Sequence, residues 1–292
     1  MRIFKYLIVT FFLTLSLSAD INKEYYIGIG VYNYDDLNRN RMKKLMLKLS
    51  NELETSYGYK INTIFLENKD EILEDFIRYK KLNVIITYVA FYLENKDTLK
   101  KFVKKPFLFN NTEEEKNQFY LIANKESNIN SLKDLKGKTF AGYVGDEGYS
   151  LWLDYLTRKN LNKPYKELIR SELDVQKNQR LVLNIYFNKA DFSVVSKTVY
   201  HDMISLNPSI EKRVKIIKKS KPMFFFGLGL FHKNTPKELV DPFYEYIENG
   251  EFNKDFEDIF KLLNAYGVQK ATFDDLKPLD DYYEEYKRLK KE

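Results

Sequence analysis

The chain of 292 residues has no cysteine. That excludes disulfides, thiolate chemistry, and the lipid anchor that attaches to a cysteine at an export cleavage site. Histidine is nearly missing as well. Only His201 and His232 occur, in no HExxH-like spacing, so neither points to a metal centre. With 11 glycines and 7 prolines there is no linker-like or low-complexity stretch. Beyond the first twenty residues no apolar run reaches the roughly 20 residues a membrane-spanning helix needs. No GxSxG elbow, P-loop, repeat of 20–50 residues or heptad pattern is present. The G-x-G of Gly28 and Gly30 has no third glycine before a helix, so the dinucleotide fingerprint is incomplete. The carboxylate pairs Asp274–Asp275 and Asp280–Asp281 read as surface. An enzyme is therefore not expected, and neither is a cofactor or a metal.

What is present starts with an export signal. Arg2 and Lys5 precede an apolar run from Tyr6 to Leu15, followed by small residues at Ser16, Ser18 and Ala19. Residues 1–19 are expected to be removed, leaving a periplasmic protein. The alternative is an uncleaved anchor, for which the apolar run is short. The net charge is +6, with Lys and Glu interspersed. A nucleic-acid binder would need a clustered basic face with interleaved aromatics, so no nucleic-acid partner is expected. Tyrosine and phenylalanine are abundant, 23 and 22 residues, enough for a core with some left to line a pocket.

Periodicity then gives alternating elements. Strands are expected at 25–32, 61–66 and 83–87, with helices at 35–57 and 71–81 between them. The continuous apolar run Asn83–Thr87 suits a parallel strand covered on both faces. This βαβαβ order predicts an α/β domain. Extended segments follow at 103–109 and 118–124. A second α/β series runs through strands at 139–143, 167–172 and 191–196 and helices at 150–159, 175–187 and 198–205. Strands at 214–218 and 224–231 and helices at 237–248, 253–266 and 280–291 close the chain. The tyrosines of the last helix (Tyr282, Tyr283, Tyr286) share a face with Leu289 and are expected to pack on the first domain.

The segment Ser131–Lys138 (SLKDLKGK), leading into a strand, a loop and a serine-bearing helix start, resembles the phosphate/phosphonate-type substrate-binding proteins of ABC importers, a group of type II periplasmic binding proteins. Three more segments correspond in the right order: Asn83–Asn95, Asn188–Met203 and Pro208–Phe231. The resemblance implies two three-layer α/β lobes with a ligand cleft between them. Lobe 1 would comprise 20–110 and 214–292, and lobe 2 would comprise 111–213. It implies capture of a small ligand by lobe closure and delivery to an ABC permease, by a protein expected to be a monomer. A second reading is a ligand-sensing partner of a membrane sensor kinase.

The resemblance places the pocket at strand ends and helix starts. The candidates are Tyr32 and Asn33; Thr87, Tyr88 and Tyr92; Tyr149 and Ser150; and Ser196, Lys197 and Tyr200. Simpler roles stand beside these. Tyr88 and Tyr92 can be core, Ser196 can cap the helix it precedes, Lys197 can be a solvated surface residue, and Trp152 reads as core. The family typically places a Ser-Thr-Ser cluster where this chain has Tyr149–Ser150, and here Asp146 and Glu147 come just before. Two carboxylates near an anionic ligand would repel it unless they face solvent.

Overall fold

The computed structural model describes residues 24–30, 36–57, 60–78, 82–110, 117–144, 147–223, 227–250, 256–257, 260 and 266–291. The export segment, Tyr32, Asn33, Gly145, Asp146 and most of the helix expected at 253–266 lie outside them. The strands form two sheets in a mixed α/β fold. Contacts divide the chain into two compact units, one ending at Ile86 and the other beginning at Thr87.

The first unit is the expected βαβαβ series. It contains β1 (Glu24–Gly30), α1 (Asp36–Tyr57), β2 (Lys60–Leu66), α2 (Lys69–Ile77) and all but the last residue of β3 (Leu82–Thr87). β1 lies between β2 and β3 and is parallel to both. α2 starts where the Asn68 side chain accepts the Asp70 N–H at 2.9 Å, and it buries Ile72 and Phe76. α1 buries Met42 and Met46.

The second unit begins with α3 (Val89–Leu99), β4 (Val103–Asn110), β5 (Phe119–Asn124), β6 (Thr139–Tyr143) and α4 (Glu147–Leu161). It continues with α5 (Tyr165–Leu168), β7 (Ser171–Val175), α6 (Asn178–Tyr186), β8 (Phe192–Ser196), α7 (Lys197–Leu206), α8 (Ser209–Arg213), β9 (Val214–Lys219), β10 (Gly227–His232), α9 (Lys237–Glu248), β11 (Gly267–Lys270) and α10 (Phe273–Leu289). A five-stranded sheet runs β7-β6-β8-β5-β9. β6 is parallel to β7 and β8, while β5 is antiparallel to β8 and β9. β4 pairs antiparallel with β10 and β11. In that pairing Gly229 stands opposite Phe107, and an added Cβ would lie 1.9 Å from the ring. Only glycine lets the ring lie across the strand.

The SLKDLKGK segment is a structural device. Asp134 accepts the N–H groups of Asn130 and Ser131 at 2.9 and 2.8 Å and the Ser131 hydroxyl at 3.0 Å. These bonds hold its carboxyl below the usual range. Leu135 is buried, and Gly137 turns the chain with φ +75°, a left-handed conformation that suits glycine. The Gly137 N–H then bonds to the Leu168 carbonyl at 2.7 Å.

Three expectations change. The strand expected at 167–172 begins instead at Ser171, because Pro164 opens a helical turn over Tyr165–Leu168. The last helix starts seven residues early, at Phe273. Thr272 and Asp275 cap it reciprocally, with the Thr272 N–H and hydroxyl donating to Asp275 at 2.8 and 2.7 Å. Asp280, read as surface, is buried.

Candidate functional site

β6 and β8 are parallel neighbours, so their C-terminal ends share one edge of the sheet. β6 leads towards α4 and β8 directly into α7. Ligands of open α/β sheets bind at that edge, where helix starts expose N–H donors and the positive end of the helix dipole. Four of the expected residues, Tyr149, Ser150, Ser196 and Lys197, sit there.

Tyr149 and Ser196 meet. The Ser196 N–H donates to the Tyr149 hydroxyl at 3.1 Å, and both residues are buried, at 3% and 1% exposure. The Tyr149 ring is held edge-on by Phe119, with centroids 4.9 Å apart at 90°. The Phe119 N–H is in turn fixed on the Ser220 hydroxyl at 2.9 Å. Ser196 also performs the simpler role expected of it, since its hydroxyl accepts the Val199 N–H at 3.2 Å and caps α7. The Lys197 N–H donates to the Gln118 carbonyl at 2.7 Å. Three donors at the start of α7 are thus satisfied by the protein itself. Lys197 is half-buried and brings a cation to the same edge.

Ser150, half-buried at the start of α4, and the Glu172 carboxylate both bear on the Tyr165 phenol. Burial, the largest influence, pushes the Tyr165 phenol up to about 12 and raises the Glu172 carboxyl. The remaining described candidates lie elsewhere. Thr87 is buried at the end of β3, and Tyr88, half-buried, opens α3 at its N-cap position. Tyr92 is buried against α10, with its hydroxyl 3.5 Å from Asp280, and burial raises its phenol far above the ordinary value. Tyr200 packs edge-on against Tyr120, with centroids 5.7 Å apart.

The sequence reading missed a buried hub on α4. Asp154 accepts the Tyr165 N–H at 3.0 Å, Arg158 Nε at 2.7 Å and the Tyr286 hydroxyl at 2.9 Å. The Asp154–Arg158 spacing of four on a helix was the available signal. Among the described residues no group of three or more His, Cys, Asp or Glu could hold a metal ion, and no helix is long and apolar enough to cross a membrane.

Comparison with solved structures agrees with this architecture. A binding-protein component of an ABC phosphonate transporter from Pseudomonas aeruginosa superposes with a TM-score of 0.59 at 18% identity, over 91% of this chain and 87% of that one. A protein from Prochlorococcus marinus, solved in complex with methylphosphonate, gives 0.61 at 13% identity, over 91% and 98%. A protein from Xanthomonas citri, solved bound to chloride ion, gives 0.66 at 11% identity, over 92% and 99%. At these identities the likeness speaks for the fold, that of type II periplasmic binding proteins. No curated protein matches the chain in sequence. The family model for the periplasmic substrate-binding protein of phosphonate ABC transporters matches residues 34–276, and the chain belongs to that family.

Proposed function

We propose that this protein binds a small oxyanion of the phosphonate class at the edge formed by the starts of α4 and α7 and passes it to its ABC permease. The observation that carries this reading is the delivery of two helix starts and Lys197 to one edge by the parallel strands β6 and β8. Tyr149, Ser150, Ser196 and Lys197 are the proposed contacts at that edge, and Tyr88, at the start of α3, is proposed to meet the ligand from outside it on closure. The binding lobes would be 20–110 with 214–292, and 111–213, closing on the ligand by hinge bending. The protein would act by recognition without bond breaking, as a monomer, after removal of residues 1–19. No observation favours partnership with a sensor kinase.

The test is calorimetric titration of the mature protein with methylphosphonate, phosphate, phosphite, an alkylsulfonate and a small amine. Saturable binding of a phosphorus oxyanion, weakened in Lys197→Met, is the expected result. Binding confined to amines or neutral compounds would overturn the proposal.

A further inference from the structure

The C-terminal helix α10 carries two sets of side chains. Asp280, Glu284 and Lys287 face α3, while Tyr282, Glu285 and Tyr286 face α4. At 3.6 residues per turn these sets lie roughly half a turn apart on the helix. Towards α3, Asp280 accepts from Lys100 and lies 3.5 Å from the Tyr92 hydroxyl. Glu284 pairs with the buried ammonium of Lys96 at 2.7 Å, and Lys287 lies 3.8 Å from Asp97. Towards α4, the Tyr286 hydroxyl donates to Asp154 at 2.9 Å, and Glu285 takes the Tyr155 hydroxyl at 2.7 Å and the Lys159 ammonium at 2.8 Å. The Tyr282 ring meets Tyr155 with centroids 4.7 Å apart. Tyr282 and Tyr286 are both buried.

We infer that α10 is a positioning strap. It fixes α3 and α4 relative to one another, and with them the helix starts that carry Tyr88 and Tyr149–Ser150. Glu285 and Tyr286 are positioning residues on this account, acting on the ligand site through α4. Release towards α4 parts two buried phenol rings and three polar contacts, but it leaves the buried Asp154 still paired with Arg158. The contacts towards α3 include a buried ammonium and a buried carboxylate, which would leave two buried charges unpaired on release. Any displacement of α4 against α3 therefore has to part the Glu285 and Tyr286 contacts first. The inference rests on the site assignment above only for its link to ligand.

The absence of cysteine makes the test direct. Spin labels at Glu94→Cys on α3 and Asn160→Cys on α4, both exposed, report the distance between the helices in the full mature chain. The Glu285→Gln, Tyr286→Phe variant removes hydrogen bonds to charged partners. The displaced population is expected to grow about tenfold or more. The reciprocal exchange Lys159→Glu with Glu285→Lys, in otherwise native background, should keep the native distance, whereas Glu285→Lys alone should not. An unchanged distance distribution in both Glu285→Gln, Tyr286→Phe and Glu285→Lys overturns the strap. If methylphosphonate leaves every distance and every calorimetric trace unchanged, the ligand assignment fails while the strap stands or falls on the ligand-free distances.

Discussion

Replacing Tyr149 by phenylalanine removes one oxygen and little else. The ring still fills its place against Phe119, so no cavity opens and the transfer of apolar surface is unaffected. What changes is the Ser196 N–H, which loses the acceptor it has at 3.1 Å. That amide sits in a residue only 1% exposed, beside a ring only 3% exposed, so water cannot easily take over. An orphaned buried donor costs about 1–3 kcal/mol, more than the roughly 1 kcal/mol that a satisfied neutral hydrogen bond contributes net. Urea unfolding at pH 7 should therefore show a lower midpoint with an unchanged slope, because the surface exposed on unfolding is the same. Hydrogen exchange gives a second reading, since the Ser196 amide should lose protection while amides in the middle of β8 keep theirs. A loss below about 0.5 kcal/mol with Ser196 still protected would refute the reasoning, because the hydroxyl would then not be the amide's partner. The outcome bears on the proposed site, since a phenol that already holds the Ser196 N–H would leave a bound oxyanion to take its donors from α4 and Lys197.

Two further outcomes follow from the geometry. The Glu284 carboxyl, between Lys287 and Lys96, is held down to about 2 from a usual 4.5. The unfolded chain binds that proton more readily, so the stability it lends is complete above about pH 4.5 and drains away as pH falls towards about 2. Glu284→Gln should flatten that part of the stability profile in urea titrations, by no more than ~1 kcal/mol because the side chain is half-exposed. Gly229→Ala places a methyl group 1.9 Å from the Phe107 ring, so the ring or the strand must shift at a cost of about 1–3 kcal/mol. Adding Phe107→Leu should recover part of the lost urea midpoint, and a Gly229→Ala midpoint equal to wild type would contradict the close approach.

Much of the fold was legible because its signals are local. The unbroken apolar run of β3 follows from cover on both faces, and the spacing of Ile72 and Phe76 from a helix with one buried face. SLKDLKGK was legible as a segment because each part has a local reason, a carboxylate cap, a buried leucine and a glycine at positive φ. The departures from expectation are instructive for the same reason. A proline at 164 outweighed the extended pattern after it, and in the Asp280–Asp281 pair, taken for surface, Asp280 is buried against α3. The proposed site was legible only as an address. The end of β6 and the end of β8 could be named from the order of elements, but what happens there depends on a backbone amide, which no residue type advertises. That Tyr149 rather than a ligand sits on the Ser196 N–H is a contact across 47 positions of sequence, and the Tyr286–Asp154 bond that steadies the same helix spans 132. Residue identity says that a phenol and a carboxylate want partners, while the packing of three helices decides which ones they get. α10 touches both α3 and α4, so the proposed contacts at the starts of those two helices owe part of their placement to residues far from them in sequence.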